Sequence, residues 1–177
     1  MNPVRYTNLD RIRKQLVISH RRLSGESKSV HILLINKWHS LLSIAPRFNK
    51  TWYQDRLREE FRERNEAQGW LEQISETSDI YYNITRAHYD GFPIGRLPSF
   101  KLSHLPIYAY MIGKYTLRWS FYRVAARLCD SPHKNIREVI NPHKDYKLEK
   151  IAVRYDMNRS EFKAVTHQLR RFWPLLY

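Results

Sequence analysis

The side chains best suited to chemistry lie near the end of this 177-residue chain. Asn158, Arg159, Ser160, Lys163, His167, Arg170 and Arg171 recur at short intervals, and a helix would carry them along one outward face. Guanidinium, ammonium, imidazole, amide and hydroxyl donors in such an array suit phosphate oxygens and base edges. The residues before them follow helix-turn-helix spacing. Leu148, Ile151, Tyr155, Met157, Phe162 and Val165 are the apolar positions, Ala152 is the small residue where two helices approach closely, and Asp156 holds the turn. The span 145–173 therefore reads as a helix-turn-helix-like unit. The competing reading is a helical hairpin that only closes the domain.

A second polar set lies further upstream. Glu76, Ser78, Asp79, Arg86 and Asp90 form a band across one expected helix. Ser78, Asp79 and His88 supply the residue types of a hydrolytic triad without a recognisable spacing. A buried carboxylate must be compensated, so Asp79 is expected to pair with Arg86 or another core cation. The band reads as a structural cluster. Basic and aromatic residues also alternate through Lys114, Tyr115, Arg118, Trp119, Tyr122 and Arg123. Stacking aromatics beside cations suit single-stranded RNA, but these aromatics recur at core spacing, so a core stripe is the better reading.

Several chemistries have no support. The chain has no HExxH, GxSxG, Walker or GxGxxG pattern. His31 and His39 are two helical turns apart, too far to share an ion. The single Cys129 excludes an internal disulfide and a two-cysteine zinc site. No metal ligand set and no cofactor are expected.

The elements that would position these residues are helical. Val30, Leu33, Leu34, Trp38, Leu41 and Leu42 mark an apolar stripe ended by Pro46. Thr51 with Gln54 has capping-box spacing before a helix to Glu66, where Trp52, Leu57 and Phe61 sit among alternating charges. That helix reads as a solvated surface element. A third helix runs from Trp70 to His88, with Trp70, Ile74, Tyr81, Ile84 and Thr85 inward. Gly91 suits a positive φ in the turn that follows, and the loop continues to Leu105. Pro106 opens a central helix to Leu128. A short helix is expected from Ser131 to Ile140, and Asn141-Pro142 breaks it. The last helix starts on the Asn158/Glu161 cap pair, buries Phe162, Val165, Leu169 and Phe172, and ends at Pro174. The fold class is all-α, a bundle of about five to seven helices. Residues 1–28 form a basic arm or helix and 29–177 one helical domain.

Charge is the strongest global signal. Lys and Arg number 31 against 17 Asp and Glu, a net of +14. It is uneven: residues 1–50 carry +8, residues 51–80 carry −4 and residues 81–177 carry +10. Such a field attracts polyanions. No stretch reaches the ~18–20 apolar residues of a membrane span, and no apolar signal-peptide core is expected. Leu9, Ile12, Leu16, Val17 and Leu23 lie among arginines in the first 23 residues. A mitochondrial targeting segment, an RNA-binding arm and an ordinary amphipathic helix fit that pattern equally.

The stretch Ser75–Pro93 resembles a segment of uncharacterised small basic proteins of filamentous fungi. The likeness continues through Tyr108–Tyr115 and Leu169–Leu176, roughly the C-terminal two-thirds of the chain. It implies no activity and no site residue.

The first reading is therefore a non-enzymatic helical protein binding RNA or DNA, or a ribonucleoprotein, through its C-terminal hairpin. The second is a subunit in a protein complex, with an acidic partner or an anionic membrane surface. The third is an enzyme using the Glu76–Asp90 region. All three place it inside the cell, in mitochondria or the nucleus.

Overall fold

The computed structural model describes residues 30–47, 49–133 and 135–173. Among them are six α-helices, a single 3-10 turn and no strand, which bears out the all-α class. The helices are α1 (Val30–Leu42), α2 (Lys50–Glu66), α3 (Trp70–Asp90), α4 (Leu105–Leu128), α5 (Asp145–Arg154) and α6 (Arg159–Arg170). The 3-10 turn, Leu102–His104, leads into α4. The chain divides into units of residues 1–34 and 35–177. In the first, only the opening of α1 is described; the basic segment 1–28 lies outside the described residues.

In the second unit α2 packs along α3, α3 along α4, and α4 carries both the 3-10 turn and α6, with α5 on α6. The C-terminal half of α4 supplies Phe121, Tyr122, Ala125 and Ala126 to the largest apolar cluster. Ile136, Leu148, Ile151, Ala152, Met157, Phe162 and Leu169 complete it. Each large side chain buried there contributes roughly 1.5–3 kcal/mol. The N-terminal half of α4 meets Ile35 of α1 through Tyr108, Met111 and Tyr115. A third cluster joins Tyr53, Ala87 and Ile94.

Several boundaries differ from the expected ones for local reasons. Asn49, not Thr51, caps α2: its Oδ1 accepts the Thr51 amide at 2.7 Å. The short helix expected from Ser131 to Ile140 is absent, and the segment is irregular. Ile136 and Glu138 are buried with Arg137 exposed between them, a two-residue alternation a helix does not produce. Tyr122 Oη donates to the Ile140 carbonyl at 3.0 Å and pins the segment to α4. On α1 the inner face is Ile35, His39 and Leu42, while Leu41 is exposed. Trp70 and Phe172, expected inside, are also exposed.

The turns follow their residues. Gly91 takes φ +91° and ends α3. Asp156 takes φ +51° between α5 and α6, where a glycine is more usual. The Met157 amide then reaches back to the Ala152 carbonyl at 2.9 Å.

Candidate functional site

Two neighbouring helices carry paired carboxylates one turn apart. Glu60 and Glu63 lie on α2, and Glu76 and Asp79 on α3. An i, i+3 pair shares one helix face. The face of α2 bearing Glu60 turns inward, because Glu60 is 2% exposed. One carboxylate oxygen each from Glu60, Glu63 and Glu76 lies within 4.8 Å of the other two. At an effective dielectric of about 20, two full charges at that distance repel by about 3.5 kcal/mol.

Arg56 and Lys114 compensate part of this charge. Arg56 reaches Glu59 at 2.6 Å and also pairs with Glu60 Oε1. Lys114, buried on α4, donates to Asp79 Oδ2 at 2.8 Å and to Ser75 Oγ at 2.9 Å. Tyr115 Oη donates to Asp79 Oδ1 at 2.9 Å. Asp79 thus pairs with Lys114 rather than Arg86. Ser78 Oγ donates to the Ser75 carbonyl at 2.6 Å, a local structural bond. The Tyr115 ring is held against Tyr82, with centroids 3.6 Å apart and planes 8° from parallel.

Two oxygens escape compensation. Glu60 Oε2 and Glu76 Oε2 are buried with no hydrogen-bond partner. An unpaired buried oxygen on a charged group costs several kcal/mol, and the titration behaviour follows. Burial, with Asp79 adding to it, pushes the Glu60 carboxyl up to about 8, against the pull of Arg56. Burial also raises Glu76, with Asp79 adding to it and Lys114 opposing. Lys114 is lowered by burial, while Asp79 holds it up.

A cavity of about 310 Å³ adjoins this cluster. From α2 and α3 come Arg56, Glu63, Glu66, Glu72, Glu76 and Asp79; from α4 and the segment before α5 come Lys114, Arg118, Asn141 and Lys144. One side is predominantly acidic and the other basic. Arg118 is buried, its guanidinium 5.5 Å from the Tyr115 ring centroid.

No family model, curated protein or solved structure matches this chain.

The rest of the polar band belongs to a different network. Arg86 Nε donates to Asp90 Oδ2 at 2.8 Å, and Arg86 Nη2 to the Ile44 carbonyl at 2.7 Å. Tyr53 Oη donates to the same Asp90 oxygen. Thr85 Oγ1 gives its proton to the Tyr81 carbonyl at 2.8 Å, so His39 Nε2, 3.1 Å away, must be the donor between them. Burial first, then Arg86, lowers His39 well below its ordinary value, so the ring is neutral. His39 is a core residue. His88 Nε2 lies 3.1 Å from the Gly95 carbonyl. Ser78 and His88 are thus committed to separate backbone carbonyls.

The C-terminal unit forms as a hairpin of α5 and α6. Asn158 is its cap: its Oδ1 accepts the Ser160 and Glu161 amides at 3.0 and 3.1 Å. Arg170 lies 2.5 Å from Asp145 Oδ1, and His167 Nε2 3.5 Å from Asp145 Oδ2. The Arg170 hydrogen bond is the main reason the Asp145 carboxyl is lowered. Arg159, Ser160, Lys163 and Arg171 are exposed. Of the basic–aromatic run, Tyr115 and Tyr122 are buried, as core spacing implies, and Lys114 and Arg118 are buried with them rather than emerging at the edges of the stripe.

Glu60 and Glu63 are not singled out by the sequence patterns above, and Lys114 stands there only in the basic–aromatic run. Two signals point to the glutamates. Residues 51–80 are acidic in an otherwise basic chain. The pairs Glu60-x-x-Glu63 and Glu76-x-x-Asp79 also repeat one spacing on consecutive helices.

Proposed function

We propose that the carboxylate cluster of α2 and α3 binds a divalent cation, and that this cation is what the adjoining cavity presents to a ligand. The observation that carries this reading is the pair of buried, partnerless oxygens, Glu60 Oε2 and Glu76 Oε2, in a three-carboxylate group within 4.8 Å. A hard divalent ion takes carboxylate oxygens and keeps waters on its open positions. It would relieve the mutual repulsion and satisfy both orphan atoms. Facing helices of a bundle commonly hold such sites. The expectation of no metal ligands came from histidine and cysteine spacing, which a carboxylate set does not use. Mn²⁺ titration followed by the paramagnetic resonance of the free ion tests the reading at pH 8. One site is expected in the wild-type protein, weakened at least tenfold in Glu63→Gln/Glu76→Gln. Absence of binding at millimolar Mn²⁺, or equal binding by the double variant, rejects it.

A second reading has its own support. Arg159 and Lys163 on α6 and Arg171 just past its end are exposed in a chain of net charge +14, so this helix is a candidate contact for RNA or DNA phosphates. The array is smaller than the sequence suggests, since Asn158 serves as a cap and Asp145 engages His167 and Arg170. Filter binding to an oligonucleotide at two salt concentrations decides it. Retention that falls steeply with salt and weakens in Lys163→Ala/Arg171→Ala supports it; no retention at low salt refutes it.

A further inference from the structure

A groove of about 570 Å³ is formed by the last turns of α2, the middle of α3 and the loop leading to the 3-10 turn. It shares no lining residue with the carboxylate cavity. We infer that this groove binds a small amphipathic carboxylate, an alkyl chain with an ionised acid head, and grips the head through Arg64, Arg96 and Tyr81. The site is independent of the cation proposed above.

Much of the lining is apolar. Ile80 and Ile84, one turn apart on α3, are buried, and Leu97 and Pro98 of the loop are half-buried. Phe61 adds its ring and is left 47% exposed, on a helix of otherwise mostly charged residues. A ligand's chain laid along these groups removes apolar surface from water. The ionic lining is Arg64 from α2 and Arg96 from the loop, with no carboxylate. Both arginines are exposed, and among the described residues neither guanidinium is held in an ion pair or hydrogen bond. Tyr81 adds a third donor. The Ser99 carbonyl can only accept, so His104 Nδ1, 3.0 Å from it, carries its hydrogen. Tyr81 Oη, 3.2 Å from the same nitrogen, is therefore an acceptor there, and its own proton remains to be given. Burial raises the Tyr81 phenol, so it keeps that proton. Two guanidiniums and a phenol O–H match a carboxylate, which only accepts. The volume lies within the range of small-molecule sites, roughly 300–1,000 Å³.

Isothermal titration calorimetry of the full chain with octanoate, decanoate and dodecanoate, each below its micellar concentration, tests this. One site per chain is expected. Affinity should rise at least twofold for each added methylene, toward the roughly fourfold that about 0.8 kcal/mol per buried methylene allows. Arg64→Gln/Arg96→Gln should weaken dodecanoate at least tenfold, and Tyr81→Phe at least threefold, each with a wild-type circular-dichroism melt. Lys163→Ala/Arg171→Ala, which removes exposed cations from the C-terminal hairpin, should bind as the wild type does. Absence of saturable binding at millimolar dodecanoate, affinity independent of chain length, or full binding by Arg64→Gln/Arg96→Gln or by Tyr81→Phe overturns the inference. So does an equal loss in Lys163→Ala/Arg171→Ala, because the attraction would then follow net charge and not this groove.

Discussion

Glu60 offers a quantitative handle on the carboxylate cluster. Its carboxyl is raised from an unfolded value of 4.5 to about 8. A raised folded value means that the native state holds the proton more tightly than the unfolded chain. The associated stability is present in full below the unfolded value and is lost as pH rises through the folded one. Linkage with these two values gives a loss of about 2 kcal/mol between pH 6.5 and pH 9. For a chain of this size that is a fall in Tm of roughly 4–8 °C, at roughly 2–4 °C per kcal/mol. The window avoids His39, whose lowered folded value costs stability only as pH falls below its ordinary 6.5. Differential scanning calorimetry of the metal-free protein across this range is the assay. Glu60→Gln removes the titrating proton, so its Tm should be nearly flat from pH 6.5 to 9. Saturating Mn²⁺ should flatten the wild-type profile too, because a cation then replaces the proton. Identical slopes for wild type and Glu60→Gln would refute the reasoning.

Two further predictions concern the C-terminal hairpin. Asp145→Asn releases Arg170 and His167; oligonucleotide affinity at low salt should rise about threefold or more, with a steeper salt dependence, as fitted from filter binding at several salt concentrations. Asp156→Gly relieves a non-glycine residue held at φ +51° and should raise stability in urea by about 0.5–1 kcal/mol.

How legible this architecture was depended on what each residue does. Apolar periodicity located α4 and the hairpin, because Met111, Tyr115, Tyr122, Leu148, Ile151, Phe162 and Leu169 are buried by their own chemistry. Turn residues were equally readable at Gly91, Asp156 and Asn158, where backbone geometry selects the side chain. The carboxylate cluster was not. Glu60 is a charged residue on a helix of mostly charged residues, and periodicity assigns such a position to solvent. Only Arg56 beside it and Glu76 across from it make it an interior group, and that neighbour relation exists only once α2 packs on α3. Lys114 was hidden by the same rule, since a lysine is placed inside only by a buried acid such as Asp79. The Ser131–Ile140 segment misled differently: flanking prolines suggested caps, while its inward groups alternate as in an extended chain.

The grip of Arg86 has a consequence for how the molecule opens. One guanidinium holds the Ile44 carbonyl beyond α1 and an Asp90 carboxylate at the end of α3, and that carboxylate also receives Tyr53 from α2. Peeling either end of this knot would strand a buried charge. Residues 44–47 and 49–53 and the last turn of α3 are therefore expected to exchange their amides in a single concerted event, whereas the outward tip of α6 can fray alone.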